Sequence, residues 1–520
     1  MITLKWFLFG VLLNIYGCEG YRILVAFPLP SKSHGILGDN MVKHLLNAGH
    51  EVTYITPFTE RDVHPNLHLI DVSENKKIFN ENSMDVKLIM DGVINFQDND
   101  MLSGLLIGMA EHTFQNPIIQ KFLRDPKQKF DLIIGEWMFS DLYSSFAPVF
   151  NSPFVWLSTI EPHYKVLQMV DGPLNPAYTA DYLSSYIPPF TFAQRVQELC
   201  IQTYGLITRN FKYYYQEEDI YLRLVAPVFK ERGLPVPSYD DVRFNASLLL
   251  GNTQVTMGDA ISLPQNYKHI GGYHIDEEVK PLPEDLKKIL DNAKNGLIYF
   301  SIGSNLKSKD LPIELKRGLL KVFGELKHTV LWKFEEVLSD MPKNVHIVQW
   351  APQQSILAHP NTKLFITHGG LLSLTETVHF GVPVITIPVF GDQLMNARRV
   401  EKKGFGKKVG LSYTMHEGLK EALKELLGNP KYSQKAKELS VAFKNRPMKP
   451  KDALVFWVNH VVETNGAPHL RSPALQLPIY QRIYLDLIAI VLIAILVLKA
   501  IVKRVLSLIL KSPNKKQKRS

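Results

Sequence analysis

Cysteine is almost missing from this chain: there are two in 520 residues, Cys18 and Cys200. The first falls in a stretch with a lone Lys5, an apolar run over 6–15 and small residues at 18 and 20, the pattern of a secretory leader cut before Tyr21. Once that leader is removed Cys200 is the only thiol, so an internal disulfide and a cysteine-built zinc site are both excluded. A small stapled scaffold is excluded with them. Stability must come from a large core, which a chain of 520 residues at 46% hydrophobic can supply. Net charge is scarce in the body as well. The formal net charge is +9, but eight basic residues and no acid lie from Lys499 onward. The rest is close to neutral and is not a nucleic-acid-binding surface. The C-terminal apolar run, 485–502, is broken by Asp486 and Lys499 and falls short of the ~20 uninterrupted residues of an ordinary membrane span.

That run still reads as an anchor. Lys499, Lys503 and Arg504 can snorkel toward headgroups, and the positive-inside bias puts the basic tail in the cytosol, which makes the protein single-pass with its domains in the lumen. Lys516 and Lys518 stand fifth and third from the C-terminus, a dilysine spacing that resembles signals returning membrane proteins to the endoplasmic reticulum. The plainer reading is a juxtamembrane cluster that meets anionic lipid. Asn245-Ala246-Ser247 is a glycosylation acceptor sequence, usable where it faces the lumen.

Between these ends the chain alternates. An apolar run over 23–27, a Pro/Ser/Gly loop, a helical pattern through 41–46 and a second strand over 51–55 make a βαβ unit, and a further strand is predicted over 130–134. After 248–250 and a turn-rich stretch, a new series begins at 297–302, 329–334, 345–348, 364–367 and 384–387, each followed by helix-like sequence. No repeat is visible. The fold class is therefore α/β with two doubly wound, Rossmann-like domains, whose ligands are expected in a cleft outside the carboxyl ends of the strands. The expected division is a leader over 1–20, domains over 21–255 and 256–465, a return segment over 466–483, a transmembrane helix over 484–504 and a basic tail over 505–520.

Chemistry-bearing residues gather at the strand ends of the second series. Trp350-Ala351-Pro352-Gln353-Gln354 precedes Thr367-His368-Gly369-Gly370, then Ser373, Glu376, and Gly391-Asp392-Gln393 with Asn396. Glycines after a strand let the backbone approach a ligand, and the helix starting near Leu371 presents unpaired N–H groups and a positive dipole end to a diphosphate. His368 and Ser373 can add donors, Glu376 can accept both hydroxyls of a ribose, Trp350 offers a flat face to a base, and Asp392 with Gln393 can fix sugar hydroxyls. This reads as a nucleotide-sugar site.

The stretch from Trp350 to Asn396 resembles the signature of the UDP-glycosyltransferase family, in the arrangement of animal, and particularly arthropod, membrane-bound members. The resemblance extends to Phe300-Ser301-Ile302-Gly303-Ser304, to Arg446-Pro447 through Trp457, and to Gly466 through Arg471, and covers essentially the whole chain. It implies a GT-B fold with the UDP-sugar donor held by the C-terminal domain and a small lipophilic acceptor by the N-terminal one. It also implies that Trp350 and Gln353 contact uracil, that Ser304, His368, Gly370 and Ser373 hold the diphosphate, that Glu376 holds the ribose, and that Asp392 and Gln393 hold the sugar. No cofactor and no metal are expected. One departure is Leu372, where many relatives carry Asn; backbone N–H groups and Ser373 are expected to suffice there.

His34, in the loop expected before a helix near Ile36, is the candidate general base, since imidazole titrates near neutrality and a hydroxyl attacks weakly until its proton is taken. Glu136 stands where the family usually has an acid and would orient the ring; Asp141 is the alternative partner. Asp98-Asn99-Asp100 matches a metal-binding acidic motif in spacing alone and is expected to cap a helix. Gly404-Phe405-Gly406 follows a helix and precedes a strand, the wrong order for a dinucleotide fingerprint. Tyr213, Tyr214 and Tyr215, with Phe190, Phe192 and Phe211, either line an acceptor pocket or belong to core and surface. The expected reaction is inverting transfer of a hexose, glucose before glucuronate, giving a β-glycoside. A sugar-nucleotide epimerase and a silent lipophile carrier are the competing readings, and assembly with further copies of the chain is left open.

Overall fold

The computed structural model describes residues 20–61, 63–78, 85–172, 175–184, 186–304, 306–336 and 338–510. The expected leader up to residue 19 and the dilysine tail lie outside the described residues.

Two all-parallel sheets organise the chain up to Leu470. The first contains β1 (Arg22–Ala26), β2 (Glu51–Thr56), β3 (Leu67–Asp71), β4 (Leu132–Trp137), β5 (Phe154–Ser158), β6 (Ala246–Gly251) and β7 (Tyr267–His269), in the order β3-β2-β1-β4-β5-β6-β7. The second contains β8 (Leu297–Ser301), β9 (Thr329–Lys333), β10 (Val345–Val348), β11 (Thr362–Thr367), β12 (Val384–Thr386) and β13 (Gly406–Lys408), in the order β10-β9-β8-β11-β12-β13. Each reverses direction of winding once, between β1 and β4 and between β8 and β11. Such a switch point opens a crevice at the carboxyl ends of the strands.

Eight helices carry or flank the functional residues: α1 (Lys32–Asn47), α2 (Asn99–Gln115), α3 (Phe192–Thr208), α4 (Gln353–Ala358), α5 (Leu371–Phe380), α6 (Gln393–Lys403), α7 (Pro450–Glu463) and α8 (Leu485–Leu510). The interior strands are apolar along their whole length because both faces are covered; in β4, LIIGEW, every residue is buried. Glu136 breaks that run, and a carboxylate in such a place requires a partner.

Helix α1 begins earlier than the sequence predicts. Ser31, in extended geometry after Pro30, occupies the cap position, so His34 lies in the first turn rather than in a preceding loop. Gly35 has the look of a loop residue, yet its place is fixed by packing: a Cβ there would sit 2.9 Å from the Phe58 ring. The expected division at 255/256 also differs from what is seen. β7 completes the first sheet by pairing with β6, while Met257 packs among the residues beneath the second. Residues 270–283 then cross to the second sheet. Helix α7 returns, burying Leu454, Val458 and Val461 with Ile23, Val25, Ile134 and Leu248 of the first core.

From Arg471 the chain forms a separate unit containing α8. This helix has 26 residues, with a mean hydropathy of 2.9 over its most apolar 18, none of which is buried. At ~1.5 Å per residue it exceeds the ~30 Å hydrocarbon core of a bilayer, so it is long and apolar enough to cross one. It runs to Leu510, beyond the expected end at residue 504.

Candidate active site

Register brings the first pair of site residues together. Ala26 of β1 is the parallel partner of Gly135 in β4, so the turn into α1 lies over the end of β4 where Glu136 sits. Glu136 Oε1 and His34 Nδ1 form a short hydrogen bond; the carboxylate is buried and the imidazole side chain is 14% exposed. An ionised carboxylate can only accept, so Nδ1 carries the hydrogen and the lone pair is left on Nε2. Oε2 of Glu136 is buried without a hydrogen-bond partner among the described residues.

Asp141 is not available to His34. It is buried, accepts from Trp137 Nε1 at 2.9 Å, from Arg209 at 2.7 Å and from Arg243 at 3.1 Å, and although burial opposes it, the two guanidiniums hold its carboxyl below the usual range.

The second switch point holds the other group. Thr367 of β11 pairs with Ser301 of β8, which puts His368 beside Gly303 and Ser304. The His368 ring fills the space a side chain would need at both glycines: a Cβ on Gly303 would fall 2.6 Å from Cε1, and one on Gly370 would fall 2.5 Å from Nε2. Gly303 also has φ +92°, a conformation that L residues rarely adopt. Burial, reinforced by the Lys333 charge, pulls the imidazole down to about 4, so it is neutral at physiological pH. A neutral ring can still offer a hydrogen bond, and the cation beside it is Lys333. Helix α5 starts at Leu371 with Gly370 as its cap and no side chain capping it, which leaves its first N–H groups open.

Gln353 Nε2 donates to Ser373 Oγ at 3.1 Å and to Glu376 Oε2 at 2.6 Å. Burial pushes the Glu376 carboxyl up to about 7, against the hydrogen bonds from Gln353 and Gln354. Trp350 is 58% exposed, with its ring available to a flat partner. Asp392 leads into α6 and accepts from Asn396 Nδ2 at 2.7 Å; burial raises its carboxyl, opposed by the hydrogen bond from Asn396 and the charge of Arg399. Gln393 Oε1 accepts from the N–H groups of Val389 and Phe390 at 2.8 and 3.1 Å, so its amide nitrogen is the end left for a ligand.

Several residues escape sequence reading. The amines of Lys32 and Lys333 lie 5.3 and 5.6 Å from the centre of the Trp350 ring, one from each sheet's half. His274 joins Glu376 from outside the motif, beside the motif's own Gln354. Leu372 packs against the core under the first sheet. Lys32, Lys333 and His274 carry no spacing that sets them apart from ordinary surface or core residues.

Other expectations sort themselves. Asp98 caps α2, accepting from the Asp100 and Met101 N–H groups, and Asp100 pairs with Lys212 at 2.9 Å. Tyr213 is buried and bonded to Asp100, whereas Phe192, Phe211 and Tyr215 are exposed. Asn245 is exposed, and the Ser247 of its sequon is buried inside β6. A cavity of about 680 Å³ lies away from these residues, between α1, the crossing segment and α7.

The family model described as UDP-glucoronosyl and UDP-glucosyl transferase matches residues 28–520. A UDP-glycosyltransferase, UGT5, of Dactylopius coccus is 33% identical over 475 residues, which cover 90% of this chain and 88% of that one. UDP-glucosyltransferase 2 of the same insect is 33% identical over 500 residues, covering 95% and 94%. Among solved structures, a UDP-glucosyltransferase from Polygonum tinctorium matches with a TM-score of 0.56 at 16% identity, over 86% of this chain and 99% of that one, a likeness of GT-B fold.

Proposed function

The chain belongs to the UDP-glycosyltransferase family, and from that premise we propose that it transfers glucose from UDP-glucose to a hydroxyl of a small lipophilic acceptor with inversion. The observation that carries the proposal is the His34–Glu136 pair, which leaves a basic Nε2 lone pair at one switch point while the glycine-lined His368 and the open end of α5 stand at the other.

In this reading His34 Nε2 takes the acceptor proton as the oxygen attacks the anomeric carbon from the face opposite UDP. A carbon–oxygen bond to the acceptor forms, the bond to the β-phosphate oxygen breaks, and UDP leaves with the electron pair. Glu136 fixes the ring and steadies its cation. Trp350 and Gln353 receive the uracil, Glu376 the ribose, Asp392 and Gln393 the sugar hydroxyls, and Ser304, His368, Gly370, Ser373 and the α5 N–H groups the diphosphate, with Lys32 and Lys333 supplying positive charge nearby. No metal step is assigned. The first sheet's half takes the acceptor, and α8 anchors the chain in the endoplasmic reticulum with both sheets in the lumen and a basic tail in the cytosol. A glycan on Asn245 and self-association belong to the same reading.

The test is UDP release by membranes carrying the chain, with UDP-glucose, UDP-glucuronate and UDP-N-acetylglucosamine each offered against phenols, flavonoids and apolar alcohols. Acceptor-dependent release is expected with UDP-glucose foremost. Release that is fastest with UDP-glucuronate would overturn the donor assignment, and release indifferent to acceptor would overturn transfer itself.

A further inference from the structure

Glu376 is held by more than the residue expected to share its ligand. Gln353 engages one carboxylate oxygen; the other, Oε1, accepts from Gln354 Nε2 at 3.1 Å. Gln354 spends the rest of its amide on the segment that crosses between the sheets. Its Nε2 also donates to the His274 carbonyl at 3.2 Å, and its Oε1 accepts from the Asp276 N–H at 3.0 Å. His274 is fully buried, with Nε2 3.7 Å from the same Glu376 oxygen and neither ring nitrogen hydrogen-bonded among the described residues.

The other side of this segment is fastened to α1. Tyr273 Oη donates to the Leu37 carbonyl at 3.1 Å, His44 Nε2 meets the Tyr273 carbonyl at 2.8 Å, and Lys43 pairs with Asp276 at 2.9 Å. Four consecutive residues, Tyr273 to Asp276, thus stand between the carboxylate of Glu376 and the helix whose first turn carries His34. A neutral amide suits the position: it can donate to a carboxylate and a carbonyl and accept from an N–H at once, which neither an acid nor a base can do.

We propose that Gln354 is a positioning residue that acts through Glu376: it aims the carboxylate at the donor's ribose and, through the backbone of His274 and Asp276, registers the donor site against α1 and its base. Donor binding and base alignment are then set by one side chain that touches neither substrate. The inference rests on the assignment of Glu376 to the ribose, so the experiment includes Glu376 itself.

Full-length enzyme in membranes is assayed for UDP-glucose KM and kcat as wild type, Gln354→Met, Gln354→Glu and Glu376→Gln. Gln354→Met keeps the volume and loses the hydrogen bonds; the donor KM is expected to rise on the order of tenfold, with kcat falling severalfold because α1 loses its register. Gln354→Glu keeps the acceptor for Asp276 but sets a second carboxyl against Glu376. The titratable groups facing that pair are His274, pulled by burial to about 4, and Asp276, which is answered by Lys43. Two neighbouring carboxyls share a proton readily at low pH and repel when both ionise. The ratio of variant to wild-type KM is therefore expected to be within about threefold at pH 6 and to reach about tenfold or more at pH 8.

A ratio that stays flat from pH 6 to 8, or wild-type KM and kcat in both variants, overturns the inference. If Gln354→Met does not accumulate as folded protein, the pH profile of Gln354→Glu decides. Should Glu376→Gln leave the donor KM unchanged, the ribose assignment is what fails; should Glu376→Gln raise it while neither Gln354 variant does, the assignment stands and the positioning role falls.

Discussion

The two sheets build their halves of the cleft at the same kind of place and by different means. In the second, the donor-side residues follow one another closely in sequence: Trp350, His368, Glu376 and Asp392 all fall on a run of strand ends and helix starts between β10 and α6. In the first, the paired side chains His34 and Glu136 are 102 residues apart and meet because β1 and β4 are neighbours across the switch point. The second arrangement leaves a local pattern in the sequence; the first is visible only through topology. In the proposed function the same difference recurs: the donor would be held by several modest contacts, whereas the chemistry at the acceptor would rest on one ring.

The largest test of that contrast is His34→Ala. Loss of a positioned base is expected to lower kcat by about 10² to 10⁴ while UDP-glucose still binds, measured by turnover beside a direct donor-binding assay. A variant that loses donor binding together with turnover would mean that the two halves are not separable in this way.

Within the first half, two buried carboxylates differ in the same instructive manner. Glu136 has one oxygen on His34 and the other without a partner among the described residues, while Asp141 has both engaged by Trp137, Arg209 and Arg243. Asp141→Asn would leave two guanidiniums underneutralised in the core, and one broken buried ion-pair network costs about 3–5 kcal/mol. Thermal inactivation in membranes is expected to come at a markedly lower temperature, with kcat of the surviving enzyme close to wild type. The reverse, unchanged stability with lost turnover, would reinstate Asp141 as the partner of His34.

Legibility in the sequence follows the same division. The alternation of apolar strands and helical patterns reveals two parallel sheets because buried strands are apolar from end to end. The glycines around His368 are readable because close approach demands them, and the space at Gly303 and Gly370 is taken by the His368 ring. What sequence does not show is which polar residue serves which partner. Gly35 resembles a loop residue and is a packing residue against Phe58, so the local pattern puts the start of α1 too late. β7 is three residues long and follows β6 across a turn-rich stretch, so the pattern puts the boundary between the halves too early. Lys333 and His274 matter through neighbours brought together by folding and no local pattern announces them, while Gln354 lies in the motif without its partners on the crossing segment being legible there.

The smallest effect separates the halves by pH. Burial pushes the Glu376 carboxyl from the ordinary 4.5 up to about 7, opposed by the amides of Gln353 and Gln354. Because the folded chain holds this proton more tightly than the unfolded one, the group's contribution to stability is fully present below about pH 4.5 and is lost as pH rises through about 7. Donor binding runs the other way. On the proposed assignment the ribose hydroxyls would donate to the ionised form, and one unit below its pKa only about a tenth of the carboxyl is ionised, so the apparent affinity for UDP-glucose should rise roughly tenfold between pH 6 and 8. UDP-glucose is the probe to use, since the terminal phosphate of UDP titrates near the same range. Glu376→Gln should flatten the profile and weaken binding at pH 8. In the proposed mechanism His34 serves proton transfer rather than donor contact, so His34→Ala should leave the binding profile as it is in the wild type. A binding profile that flattens in His34→Ala and persists in Glu376→Gln would assign the titration to the base, and would show that the donor site senses the acceptor half before any acceptor is bound.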